Sequence, residues 1–75
     1  MKIKIKDIIN KATDIDDADL NSKQFKPVDI FLMGGLYQFA TPYIYDNSHE
    51  DDWDEWANQD VDMPDEFYQL WEVLK

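Results

Sequence analysis

The charges of this chain are sorted along its length, and that sorting decides which residues are left to build a core. Residues 1–26 carry six Lys and five Asp, whereas residues 27–75 carry twelve acids and a single Lys, giving net charges of +1 and −11. Carboxylates are almost never fully buried unless paired. The acids between Tyr43 and Trp71 must therefore face outward, and core packing falls to large residues among them such as Trp53, Trp56, Phe67 and Trp71. A surface built only for solubility intersperses both signs; this one carries a single sign over most of its length.

Enough apolar material is present for one modest core. Of 75 residues, 44% are apolar and eleven are aromatic. A chain of this mass is expected to fold to about 4,800 Å² of surface, burying about three-fifths of what it exposes when unfolded. The expectation is one domain over residues 1–75. The net charge of −10 opposes compaction through self-repulsion, so stability is expected to rise with salt. The absence of cysteine excludes a disulfide scaffold, thiolate-ligated zinc, iron–sulfur chemistry and thiol catalysis. It fits the cytosol. Met1–Lys6 alternates lysine with isoleucine and has no secretory signal pattern. The run Ile30–Tyr37 is too short to span a bilayer.

Local patterning predicts an α+β fold: a small antiparallel sheet, its central hairpin at residues 28–41, covered by an N-terminal helix and two C-terminal helices. Met1–Lys6 alternates as a strand, and Ile5, Ile8, Ile9 and Ala12 follow helical spacing, so a helix is expected from Asp7. Thr13–Lys26 reads as a polar loop with one helical turn at Asp16–Leu20. Val28, Ile30 and Leu32 alternate towards Gly34-Gly35, which reads as a two-residue turn. A helix over Pro27–Phe39 is the competing arrangement, set aside because a glycine pair inside a helix costs about 2 kcal/mol relative to alanine. Tyr43–Tyr45 is expected as an edge strand beyond Pro42, and Asp46–His49 as a turn. A short helix over Asp51–Asn58 would group Trp53, Trp56 and Ala57 on one side. The last helix is expected from an Asp62 N-cap, with Pro64 in its first turn, Phe67, Leu70, Trp71 and Leu74 as its apolar stripe, and Lys75 at its negative end.

Catalytic and metal-binding patterns are weak. General acid–base work needs two carboxyls in contrasting environments, and acids this dense are adjacent by number alone. Asp14, Asp16, Asp17 and Asp19 suggest a calcium loop, yet a twelve-residue EF-hand frame begun at Asp14 puts Ala18, Asp19 and Phe25 at three diagnostic places. His49, the one histidine, reads as a turn residue. No phosphate-binding glycine loop or nucleophile elbow is present. No cofactor is expected, nor an enzyme. Direct nucleic-acid binding is disfavoured because phosphate contact needs clustered Lys or Arg.

What remains is an array of Asp46, Glu50, Asp51, Asp52, Asp54, Glu55, Asp60, Asp62, Asp65 and Glu66 interleaved with Trp53 and Trp56. Acids three and four apart on a helix lie about 5–6 Å from one another. Such an array resembles a nucleic-acid backbone to a protein that grips phosphates. In size, net charge and lack of cysteine the chain resembles the small acidic inhibitors encoded by phages, the DNA mimics that block restriction enzymes, uracil-DNA glycosylase or CRISPR effectors. The opening Met1–Ala12 also looks like the start of short proteins from phages and mobile elements of Gram-positive bacteria. The resemblance implies a non-enzymatic inhibitor whose partner is a basic nucleic-acid-binding protein, a host enzyme or a defence effector; separately, no membrane partner is expected, and a homodimer is one possible state. The alternative is an acidic adaptor that docks a protein partner through an aromatic patch. Exposure of Trp53, Trp56 and Tyr45 separates the two, since an adaptor needs an exposed apolar anchor.

Overall fold

A computed structural model describes residues 1–18 and 25–74. The element order is β1 (Lys2–Lys4), α1 (Ile5–Asp17), α2 (Pro27–Ile44), α3 (Trp53–Ala57), β2 (Asp60–Asp62), a 3-10 helix (Asp65–Gln69) and α4 (Leu70–Val73). The α+β class holds, with a small antiparallel sheet, an N-terminal helix and helices after the central segment.

The sheet is formed by different residues from those expected. It pairs β1 with β2, placing Lys2 opposite Asp62, Ile3 opposite Val61 and Lys4 opposite Asp60. Backbone bonds extend the ladder at both ends, from Met63 N–H to the Met1 carbonyl at 2.8 Å and from Ile5 N–H to the Gln59 carbonyl at 3.1 Å. Lys-Ile-Lys and Asp-Val-Asp alternate in register, so each charged pair faces out and each β-branched residue faces in. Asp62 is thus a strand residue and not a helix N-cap. The chain turns helical only after Pro64, through the 3-10 segment.

The expected 28–41 hairpin is a continuous helix, α2, which also absorbs the expected edge strand at Tyr43 and Ile44. Neither glycine has a positive φ. The two residue spacings make opposite demands on burial, and packing decides between them. Strand alternation would bury Val28 and Ile30 with Leu32, yet those two are 53% and 40% exposed. Asp29, Leu32, Met33, Leu36 and Ala40, at helical spacing, are the buried set. The glycine pair costs the helix about 2 kcal/mol. That is comparable to what one fully buried leucine contributes, about 1.5–3 kcal/mol, and Leu36 and Met33 are at most 1% exposed. Gly35 also keeps a close approach free: a Cβ there would lie 3.0 Å from Phe67 Cε1 and 3.1 Å from its Cζ. Pro42 lies inside the helix and offers no N–H to the carbonyl one turn back, which is tolerated because Gln38 is exposed. Thr41 bonds its hydroxyl to the Tyr37 carbonyl at 2.8 Å alongside.

Helix α1 begins at Ile5, two residues earlier than expected, and runs to Asp17 through what was expected to be loop, because Ile15 continues the Ile8 and Ala12 face onto the core. Residues 19–24 of the expected Thr13–Lys26 loop, with Asp19 and Leu20 of its helical turn, lie outside the described residues, as does Lys75. The main core joins Ile8, Ala12, Leu32, Met33, Leu36, Ala40, Met63, Phe67, Leu70 and Leu74. The expected stripe of the last helix is borne out, with Phe67, Leu70 and Leu74 buried and Trp71 packed beside them. A second cluster of Ile5, Trp56 and Ala57 fastens α3 to the start of α1. The molecule measures 40 × 23 × 19 Å, and its 5,245 Å² of surface exceeds the roughly 4,800 Å² of the general scaling because it is elongated.

Two buried polar side chains lock the helices together. Lys11, in α1, donates to the Leu74 carbonyl at 2.9 Å, pairs with Asp14 at 3.3 Å and lies 5.2 Å from the Trp71 ring centre. It caps the end of α4. Asp29 accepts from the Lys26 N–H at 3.3 Å and from Gln69 Nε2 at 3.1 Å, tying the start of α2 to the 3-10 helix.

Candidate functional site

The ten acids of the predicted array are all exposed, but they do not form one surface of uniform charge. The β ladder brings the basic opening of the chain against the second half of the array. Lys2 Nζ lies 3.2 Å from Asp62 Oδ2, the N-terminal ammonium lies 2.8 Å from Asp65 Oδ1, and Lys4 stands opposite Asp60. Asp60, Asp62 and Asp65 thus sit in a mixed-sign patch. The sequence held a signal for this in the complementary alternation of Lys2-Ile3-Lys4 and Asp60-Val61-Asp62, read above as an isolated strand and a helix cap.

The first half of the array is built differently. After α2, Asp46 Oδ1 accepts the Ser48 N–H at 2.9 Å and the Ser48 hydroxyl, closing a turn in which an aspartate side chain replaces a backbone acceptor. Those two bonds, the hydroxyl's first, hold the Asp46 carboxyl below the usual aspartate range, and the His49 charge adds to them. His49 stacks on Trp56 with ring centres 4.7 Å apart and planes within 6°. Its Nδ1 lies 3.2 Å from Asp52 Oδ1 and its Nε2 3.5 Å from Asp46 Oδ2. The turn residue expected from sequence is therefore the clamp that folds the acidic loop over the buried Trp56.

Glu50 and Asp51, in the segment before α3, and Asp54 and Glu55, in its first turn, then line a shallow open depression of about 360 Å³ formed by residues 50–55. Among the described residues none of these four acids has a cation within ion-pair distance, and all are exposed. Trp53 lies in the same depression and is 45% exposed, whereas Trp56 is 7% exposed and packs on Ile5 and Tyr43. Trp53 and Trp56 were expected on one face; α3 separates them into a surface aromatic and a core aromatic. Trp56 therefore leaves the set of groups a partner could touch. Tyr45, at the end of α2 next to Asp46, is 69% exposed. Glu66 is exposed beside Phe67 in the 3-10 helix.

Asp14 and Asp16, considered above as calcium ligands, sit on a helix and not on a loop. Asp14 pairs with Lys11, and the Asp16 charge, with burial adding to it, raises the Tyr37 phenol above its ordinary value. Among the described residues no three His, Asp or Glu side chains converge as a metal site, and no helix is long and apolar enough to cross a membrane. The chemistry on offer is charge and aromatic surface: four carboxylates and one indole on a turn fixed from beneath by a histidine clamp. Comparison with known proteins finds no matching family, no matching curated protein and no matching solved structure.

Proposed function

We propose that this chain is a non-enzymatic binding protein whose acidic turn, residues 46–55, occupies a basic nucleic-acid-binding surface on another protein. One observation carries this reading: Glu50, Asp51, Asp54 and Glu55 are exposed around half-exposed Trp53, with no cation at ion-pair distance among the described residues. Like charges gathered on a short helix cost folding free energy, and the clamp of His49 on Trp56 and Asp52 supports keeping them in place. Lys and Arg that hold phosphates several ångströms apart would meet carboxylates at similar spacing, while the indole offers the flat face that bases present. The patch around Asp60, Asp62 and Asp65, already supplied with cations, contributes less. The phage inhibitor class and the host cytoplasm belong to the same proposal.

The adaptor reading has a specific observation of its own, the exposure of Trp53 and Tyr45 at 45% and 69%. The two separate in one experiment, capture of partners from bacterial lysate by the immobilised chain. A nucleic-acid mimic captures a DNA- or RNA-binding protein that high salt releases and that the Asp51→Asn, Asp54→Asn double variant fails to hold. An adaptor captures a partner that resists salt and is lost on Trp53→Ala instead.

A further inference from the structure

The acidic turn leaves unexplained the other exceptional surface of the molecule. The sixteen residues from Ile30 to Tyr45 carry no charge in a chain that is 32% charged. They form most of α2, whose outward side is as apolar as its core side: Phe31 is 79% exposed, Val28 53%, Ile30 40% and Tyr45 69%. A helix apolar all round is normally covered on every side. At the middle of the outward side, Gly34 has nothing within 4 Å of where a Cβ would stand, leaving the backbone open to close approach.

We infer that this outward side of α2 is a self-association surface on which a second copy of the chain packs antiparallel, about a two-fold axis near Leu36. Three features select a second copy. The first is charge: residues 30–45 carry none, and two chains of net charge −10 can approach with least repulsion where neither has a charge. The second is orientation. Exposed Lys26 precedes α2 and exposed Asp46 follows it, so an antiparallel pair brings the basic end of each helix to the acidic end of the other, and opposes the helix dipoles. A parallel pair would juxtapose like ends.

The third is register. With consecutive residues turned by 100°, Pro27, Gly34, Gln38 and Tyr45 lie near the centre line of the outward side. A two-fold axis at Leu36 sets Phe31 of one copy by Pro42 of the other, Ile30 by Thr41 and Pro27 by Tyr45, with Gly34 and Gln38 straddling the axis. Each outward residue meets another outward residue, as a two-fold interface requires. The 18-residue helix is about 27 Å long and about 10–12 Å wide. It therefore covers about 300 Å² per copy, below the roughly 1,200 Å² total of a stable interface, so the dimer is a weak one that forms as concentration rises.

The surface meets the acidic turn only at Asp46, and its salt response has the opposite sign. Screening reduces repulsion between two acidic copies and tightens the dimer, whereas it weakens attraction of the turn for a basic partner. Sedimentation velocity of the full chain across a concentration series should show the mean mass moving from 8.9 kDa towards twice that value, further at higher salt. Phe31→Glu, at a position too exposed to disturb the core, should abolish the rise while helical circular dichroism is unchanged. The chain has no cysteine, so orientation is testable by oxidation: Ile30→Cys mixed with Thr41→Cys should cross-link, and either alone should not. A monomer at every concentration, association that survives Phe31→Glu, or cross-linking of Ile30→Cys alone equal to the mixture would each overturn the inference. So would monomeric binding to neutral phosphatidylcholine vesicles through Phe31, which would make the face a lipid contact.

Discussion

Adjacent glycines in α2 should respond to the same substitution with opposite sign. Gly34→Ala adds a methyl group where nothing lies within 4 Å, at a helical position without positive φ. It should gain the helix-propensity difference, about 0.8–1.0 kcal/mol, much of it by restricting the unfolded chain. For a domain of this size that raises Tm by about 4–8 °C. Gly35→Ala gains the same propensity term but drives its Cβ to 3.0 Å from Phe67 Cε1. The Phe67 ring is 9% exposed and stands against Phe39 with ring centres 6.3 Å apart, so it has little room to retreat. Overpacking of this kind costs about 1–3 kcal/mol, which offsets the gain and leaves Gly35→Ala neutral or destabilised by up to about 2 kcal/mol. The gap between the variants, about 1–3 kcal/mol, is read from urea midpoints at dilute protein, where self-association does not contribute. If both substitutions cost about 1–2 kcal/mol, the glycines occupy a left-handed turn and the helix assignment fails. If both stabilise equally, Phe67 does not pack on Gly35.

Leu70→Ala should destabilise the domain by about 2–5 kcal/mol, because the leucine is fully buried among α2 and the terminal helices, and an unchanged denaturant midpoint would remove α4 from the core. Lys11→Met keeps the aliphatic stem but deletes the ammonium that caps α4, and should cost about 1.5–3 kcal/mol, with the amide protons of residues 70–74 exchanging faster; a stability equal to the parent would show the Leu74 bond to be dispensable. The Asp46 carboxyl should titrate below the ordinary aspartate value of about 3.9, and Ser48→Ala should raise it by removing the larger of its two bonds. Since the folded state depresses this pKa, the contribution of the turn is complete above the ordinary value and is lost as pH falls through the depressed one. Carboxyl NMR titration showing no movement in the serine variant would contradict the turn geometry.

How much of this was legible in the sequence follows the range of the interactions involved. The first strand, the α1 face through Ile8 and Ala12, the turn at Asp46 and the Phe67, Leu70, Leu74 stripe are local patterns, and each is present. Helix α2 was misread because its residues are apolar at both spacings. Propensity weighed a known cost for two glycines against a packing gain that depends on Phe67, more than thirty residues away. The acidic array was visible as composition, but its division was not. Whether Asp62 faces solvent alone or faces Lys2 depends on a pairing across about sixty residues. The partition of Trp53 and Trp56 depends likewise on where His49 and Ile5 fall.

If the turn of residues 46–55 takes the place of nucleic acid on a basic protein, competition measures it directly. A labelled duplex is bound to the purified partner obtained by capture, and the chain is titrated in at constant salt. The duplex should be displaced, with the inhibition constant weakened at least tenfold, about 1.4 kcal/mol, by Asp51→Asn with Asp54→Asn. Asp17→Asn with Glu72→Gln removes as much charge from exposed positions outside the turn, and should change the constant far less. A ternary complex in which the partner holds duplex and chain together, or equal losses in the two double variants, would contradict it.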